Sequence, residues 1–104
     1  ISNSIKKGSS KAKCAWLRSF FDDEATMAGN RIIVDTVNPN GMKDINLLLD
    51  DLEIKNKLTH YSTKSRVVVY DVIKYSKMIG FDHDIKVKRL KKMIKNMQNK
   101  RNLY

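Results

Sequence analysis

Three consecutive acidic residues, Asp22, Asp23 and Glu24, follow directly on an apolar segment. The chain is otherwise strongly basic, with 21 Lys and Arg against 11 Asp and Glu and a formal net charge of +10 over 104 residues. Neighbouring carboxylates repel one another unless a cation lies between them, and Mg²⁺ needs only one or two carboxylates together with water and phosphate oxygens. The cluster is therefore a candidate divalent-metal site. The alternative is that Asp22 or Asp23 caps or terminates a helix.

The basic charge lies on both sides of an acidic segment. Residues 1–21 carry a net charge of +5, residues 22–54 carry −6, and residues 55–104 carry +11. A basic protein with one acidic segment suggests a polyanionic partner and a local need for carboxylates. The competing explanation is a solvated surface in which Lys serves solubility. Nucleic acid is the partner that this charge distribution favours.

The acidic cluster comes at the end of a predicted helix over residues 12–23. Large apolar residues recur at helical spacing and are expected to face a core, namely Trp16, Leu17, Phe20 and Phe21. A second stripe of the same helix has mostly small side chains and ends at an acid, namely Ala12, Ala15, Ser19 and Asp22. Small side chains allow a second helix to approach closely. If two such helices pair, their acidic clusters meet.

Alternating helical and β-branched patterns predict an α-β-β-α-β-β-α-α order. Strands are expected over residues 30–38, 57–63 and 65–70, with a short ATM segment as a hairpin partner of the first. Asn38 and Pro39 are a typical N-cap and first helical residue, and Asp71 is a candidate cap for a short helix that Gly80 ends. The last helix is expected over residues 84–98. The predicted class is an α/β (α+β) single domain over residues 12–104, and residues 1–11 are expected to be a linker or arm.

Composition excludes some classes of protein. The longest apolar runs are far shorter than the roughly 20 residues that a spanning helix needs, so no membrane partner is expected. The single cysteine, Cys14, cannot form an internal disulfide and is expected to be a small buried side chain, which suits a reducing compartment. The expected location is the cytoplasm, in association with the nucleoid, or an organelle.

Residues 17–25, with the sequence LRSFFDDEA, resemble the nine-residue signature of the LAGLIDADG homing endonucleases. Leu17 matches the first position, Ser19 the small third position, Asp22 the sixth and Glu24 the acidic eighth. The resemblance continues through RIIVDTVN (31–38), LLLDDLEIKNKL (47–58) and MIGFDHDIKVKRL (78–90), and it covers about residues 12 to 95. The nine-residue motif alone is degenerate, and the order of elements makes the resemblance more specific.

The resemblance implies an αββαββα fold with a curved antiparallel sheet that lies over the major groove of double-stranded DNA. It implies that Glu24 binds Mg²⁺ or another divalent cation, which activates the water that attacks the scissile phosphate. Lys86, in the basic segment after the I-G-F match, would help neutralise charge near that phosphate. The helix residues Ala12, Ala15, Ser19 and Asp22 would contact a second LAGLIDADG domain, supplied by a homodimer or by an upstream half of the same chain.

The sequence departs from the family pattern in two places. Ala25 stands where the signature ends in glycine, and alanine is expected to resist a turn with φ > 0 there. The first hairpin is shorter than in family members with long recognition sites. Within that hairpin, Ile33 offers no hydrogen bond and Asp35 repels phosphate. The expected DNA contacts are therefore Arg31, Lys57, Thr59, Tyr61 and Arg66.

Two functional interpretations remain open at the level of sequence. The first is a metal-dependent DNA endonuclease domain, which the acid at Glu24 favours. The second is a nucleic-acid-binding module of the same fold that has lost cleavage, such as a regulator or an RNA-splicing maturase, which the short hairpin and Asp35 favour. A basic scaffold protein without a nucleic-acid partner is a third and more distant alternative.

Overall fold

The computed structural model describes residues 3–102 of the chain, with side chains for residues 5–99. The helices are α1 (Asn3–Lys6), α2 (Ser10–Glu24), α3 (Pro39–Asp51), α4 (Val72–Met78) and α5 (Asp84–Asn102). The strands are β1 (Thr26–Ala28), β2 (Arg31–Thr36), β3 (Asn56–His60) and β4 (Ser65–Val69). From α2 onward the order is the predicted one. Residues 1 and 2 of the expected arm, and residues 103 and 104 of the expected domain, lie outside the described residues.

The four strands form one antiparallel sheet in the order β1-β2-β4-β3. β1 and β2 form a short hairpin in which Ala28 pairs with Arg31, and Gly29 occupies the turn with a φ of +58°. The central strands β2 and β4 come from different hairpins. Their register places Ile33 opposite Val68 and Asp35 opposite Arg66.

Strand alternation gives the sheet one apolar face, which the helices cover. Ile32 and Val34 of β2 and Val67 and Val69 of β4 are fully buried. Leu17 and Phe21 of α2 and four residues of α3 (Met42, Ile45, Leu48 and Leu49) join them in the core, together with Tyr75 of α4 and Leu90 and Met93 of α5. The domain is thus a two-layer α+β unit, because both element types bury their apolar sides against each other.

Local capping residues set several of the helix boundaries. The Ser9 hydroxyl accepts a hydrogen bond from the Ala12 N–H at 3.2 Å, and the Asn38 side chain accepts one from the Gly41 N–H at 3.1 Å. The Asp71 carboxylate accepts one from the Lys74 N–H at 3.1 Å. Each side chain satisfies an N–H group that has no partner inside its helix. The predicted caps at Asn38 and Asp71 are therefore confirmed.

Part of the segment expected to be an arm packs on the domain. Residues 3–6 form a single helical turn, Ile5 packs against the core, and the Lys6 Nζ lies 3.0 Å from the Asp44 carboxylate. Cys14 is buried, as expected, and burial raises the pKa of its thiol. None of the helices described in residues 3–102 combines the length and the apolar character that crossing a membrane requires.

Candidate nucleic-acid interface

The face of the sheet opposite the helices carries polar, basic and aromatic side chains. Strand alternation places residues of β2, β3 and β4 on this face, and we call it the open sheet face, defined by Arg31, Ile33, Asp35, Lys57, Thr59, Arg66 and Val68. All of these residues are half-buried or exposed, and no side chain of a described helix forms a hydrogen bond or an ion pair with them. Tyr61, Lys64 and Tyr70 lie beside them in the adjoining loops. The structure therefore brings the five predicted DNA-contact residues to one surface.

Asp35, Arg66 and Lys64 form an ionic cluster on this face. The Arg66 Nε donates to Asp35 Oδ1 at 2.7 Å, and an Arg66 Nη donates to Asp35 Oδ2 at 3.0 Å. The Lys64 Nζ lies 3.3 Å from Asp35 Oδ2. Hydrogen bonding to Arg66, assisted by Lys64, holds the pKa of Asp35 below its usual value. The carboxylate therefore faces two cations, and the cluster as a whole is positive.

Two arginines of the open sheet face lie against tyrosine rings. The Arg31 Cζ is 4.6 Å from the centre of the Tyr70 ring, and the Arg66 Cζ is 5.7 Å from that of Tyr61. Such cation–π contacts restrict the orientation of the guanidinium group. Tyr61 and Tyr70 remain 49% and 39% exposed, so their rings also offer surface to a partner.

Sequence reasoning missed Tyr70 and Lys64 as members of this surface. The available signal was the period of two along β4, where Val67 and Val69 face the core and the intervening positions face outward. Extending that alternation by one step at each end of the strand places residues 64 and 70 on the open side.

The acidic end of α2 is joined to the start of α5. The Asp22 carboxylate accepts hydrogen bonds from the backbone N–H groups of Asp82, at 2.9 Å, and His83, at 3.2 Å. In return, the Lys86 ammonium donates to the backbone carbonyls of Phe21 and Asp22. A carboxylate thus lies at the N-terminal end of one helix and a cation at the C-terminal end of the other, which is the favourable placement for both helix dipoles.

Asp23 and Glu24 are exposed, and no hydrogen bond or ion pair to residues 5–99 engages either carboxylate. Their hard oxygen donors suit Mg²⁺, although three or more His, Cys, Asp or Glu side chains do not come together as a metal-binding group in the described part of the chain. Within the described residues Glu24 would therefore be one ligand of such a site, and a complete site would need further ligands from elsewhere. Ala25, expected to resist a turn with φ > 0, indeed does not adopt one. Its φ is −80°, so alanine ends this helix without strain.

The predicted contact stripe of α2 differs in exposure along its length. Ala15 and Ser19 are exposed, Ala12 is half-buried, and Asp22 is half-buried by its bonds to the α5 segment. Beside the stripe, Trp16 and Phe20 stack with ring centres 5.6 Å apart. Both rings remain half-buried, although the sequence pattern predicts them in the core.

Searches for similar proteins found no match to this chain among family models, curated proteins or solved structures.

Proposed function

We propose that this chain binds double-stranded DNA through the open sheet face and forms one half of a metal-dependent endonuclease of the LAGLIDADG type. The observation that carries the proposal is that Arg31, Lys57, Thr59, Tyr61 and Arg66 lie on or beside one face of the sheet, opposite the buried face that packs in the core. The proposed fold is the αββαββα fold of that family, beginning at α2. The proposed location is a DNA-containing compartment, either the cytoplasm or an organelle.

The open sheet face has the chemistry that duplex DNA requires. Its basic side chains outnumber its single acid, Asp35, which is itself paired with two cations. Lys and Arg contribute most of the affinity by neutralising phosphates, whereas side chains such as Thr59 and Arg66 form hydrogen bonds to base edges.

Glu24 lies two residues before the first residue of β1, which places it near the open sheet face. Thr26, two residues further on, pairs with Ile33 of the open sheet face, so the Cα atoms of Glu24 and Thr26 are at most roughly 7 Å apart. A divalent metal, when bound, would supply electrostatic stabilisation of the charge that develops during phosphodiester hydrolysis. Glu24 would hold that metal, and the exposed α2 residues Ala15 and Ser19 would let a second domain bring its own carboxylate.

A cleavage-inactive binding module is the second candidate, and one observation favours it. The Lys86 ammonium, expected to face the scissile phosphate, instead donates to the carbonyls of Phe21 and Asp22. In this position Lys86 stabilises the end of α2. A binding module needs the open sheet face but needs neither Lys86 near phosphate nor a metal at Glu24.

Replacing the acid without changing its shape separates the two candidates. Glu24→Gln should abolish Mg²⁺-dependent nicking of a randomised-site plasmid library while DNA binding is retained or strengthened, because a carboxylate without metal repels phosphate. Asp23→Asn is the matched control and should retain nicking. The assay uses the chain with any sequence to which it is naturally joined. If the unmodified protein binds but never cuts, or if Glu24→Gln cuts equally well, the binding module replaces the endonuclease.

A further inference from the structure

The Asp35–Arg66 pair occupies the centre of the open sheet face. The two residues are direct cross-strand partners on the central strands β2 and β4, and Thr59 of β3 lies on the other side of Arg66. Their side chains are 35% and 31% exposed, so both can be reached by a ligand that lies on the sheet.

The hydrogen bonds to Asp35 leave one edge of the guanidinium group available. Arginine has five N–H donors in a rigid planar fork. The bonds to Asp35 use Nε and one Nη, which together form the side edge of the group. The donors at the far end, on both Nη atoms, form no hydrogen bond to residues 5–99. Their parallel geometry matches the O6 and N7 acceptors that guanine presents in the major groove.

Two contacts fix the direction of this free edge, and a third offsets the charge of Asp35. The bidentate bond to Asp35 sets the plane of the guanidinium group, and the Tyr61 ring lies 5.7 Å from its Cζ on one side. Lys64 supplies a second positive charge at 3.3 Å from the same carboxylate, which offsets the repulsion between Asp35 and phosphate. A bound and oriented arginine loses less conformational entropy on binding than a free one.

We propose that Asp35 is a positioning residue that orients Arg66 to recognise a guanine in the major groove of duplex DNA. This inference rests on the proposed DNA binding and adds a base preference to it. It also explains an acid at the centre of a basic surface, because a surface ion pair alone contributes little to stability while Asp35 weakens the general attraction to phosphate.

The experiment first selects the preferred duplex from a randomised library and then replaces each selected guanine by 7-deazaguanine, which lacks the N7 acceptor. For the unmodified protein, one such replacement should lower affinity roughly 5- to 100-fold, the range expected for a good bidentate contact. Arg66→Lys keeps the charge but not the planar fork that Asp35 orients, so it should bind DNA with a weaker preference for guanine over 7-deazaguanine at that position.

Asp35→Asn separates the two roles of this residue. Removing its negative charge strengthens binding to phosphate, whereas losing its hold on Arg66 weakens the guanine preference. The variant should bind random-sequence DNA more tightly and lose most of the guanine preference. Asp51→Asn is the matched control: it removes an equal charge from α3, away from the open sheet face, and should keep the preference.

Two outcomes overturn the inference while leaving DNA binding intact. One is a selected site in which no 7-deazaguanine replacement weakens binding by the unmodified protein, a measurement that needs no variant to fold. The other is an Asp35→Asn variant that retains the guanine preference. Failure of the unmodified protein to bind any duplex would instead overturn the proposed function, and the inference with it.

Discussion

At the scale of single residues, the three consecutive acids Asp22, Asp23 and Glu24 differ in what their carboxylates contact. Asp22 bonds to backbone N–H groups of the segment that begins α5, whereas Asp23 and Glu24 point to solvent. The unfavourable placement of acids at the C-terminal end of α2 is offset by the Lys86 ammonium on its last carbonyls. Of the three acids, Asp23 and Glu24 are the two whose carboxylates form no hydrogen bond or ion pair with residues 5–99.

Asp22→Asn should lower the free energy of unfolding by about 1–2 kcal/mol, because hydrogen bonds to a charged acceptor are replaced by weaker ones. Asp23→Asn should leave stability unchanged or raise it by a few tenths of a kcal/mol, since it removes a negative charge from a helix C-terminus. Urea denaturation of both variants and the unmodified chain measures the difference. Equal stabilities for the two variants would show that Asp22 does not hold the α5 segment.

The contribution of the Asp35–Arg66 pair to the free energy of unfolding depends on pH, and the lowered pKa of Asp35 sets the direction of that dependence. Its pKa is lowered in the folded state, so the pair stabilises the fold above the unfolded-state pKa of about 3.9 and loses that contribution as pH falls through the folded value. The stability difference between the unmodified chain and Asp35→Asn should be at most about 1 kcal/mol near neutral pH, because both side chains are about a third exposed. It should vanish in acid. A difference that grows as the pH falls from about 6 to about 3 contradicts this assignment.

At the scale of elements, the end of α3 depends on a residue in an unfavourable conformation. Glu53 has a φ of +58°, which lets its N–H bond to the Asp50 carbonyl and the Ile54 N–H bond to the Leu49 carbonyl, both at 2.9 Å. This is the helix-ending arrangement for which glycine is usual. Glu53 carries a side chain in the left-handed region, at a cost of about 1–2 kcal/mol.

Glu53→Gly should therefore raise the free energy of unfolding by about 0.5–1 kcal/mol, after part of the relieved strain is offset by the greater freedom of glycine in the unfolded chain. The Lys74 Nζ bonds to the Glu53 backbone carbonyl, and glycine keeps that contact. Glu53→Ala serves as the control: it removes the side-chain charge without relieving the backbone. Thermal unfolding measures all three proteins, and a destabilised Glu53→Gly would show that the side chain itself stabilises this turn.

The elements themselves could be predicted from sequence because their signals are local. Asn38 and Asp71 mark helix starts within a few residues, and alternation along residues 65–70 marks β4. The single helical turn α1 was not predicted; Ile5 within it packs against the core, a long-range contact that the polar composition of residues 1–11 does not indicate. The pairing of Asp35 with Arg66, 31 residues apart, depends on strand register, which no local pattern encodes. From sequence alone Asp35 is an acid without a known partner on the predicted DNA face. In the structure its charge is paired with Arg66 and Lys64.

At the scale of the whole molecule, two groups of exposed or half-buried basic residues on different elements are candidates for contact with a polyanion. One is the open sheet face. The other is the outer side of α5, where exposed basic residues follow one another, namely Lys88, Arg89, Lys91, Lys92 and Lys95. Net charge alone predicts that either surface attracts a polyanion. Of the two, only the open sheet face has exposed tyrosine rings beside it and a guanidinium group bonded to an acid. The proposal therefore requires that duplex DNA binds the open sheet face rather than the outer side of α5.

The most direct test compares two double variants that remove equal charge from these surfaces, Arg31→Ala with Lys57→Ala and Lys91→Ala with Lys92→Ala. Duplex affinity is measured over a range of salt concentrations. The account predicts that the sheet variant binds more weakly, with a log–log salt slope reduced by about 0.9 for each phosphate that the protein no longer neutralises, while the helix variant keeps both affinity and slope. Weakened binding in the helix variant alone, or binding by the unmodified chain that does not depend on salt, would contradict the assignment of the open sheet face as the DNA interface.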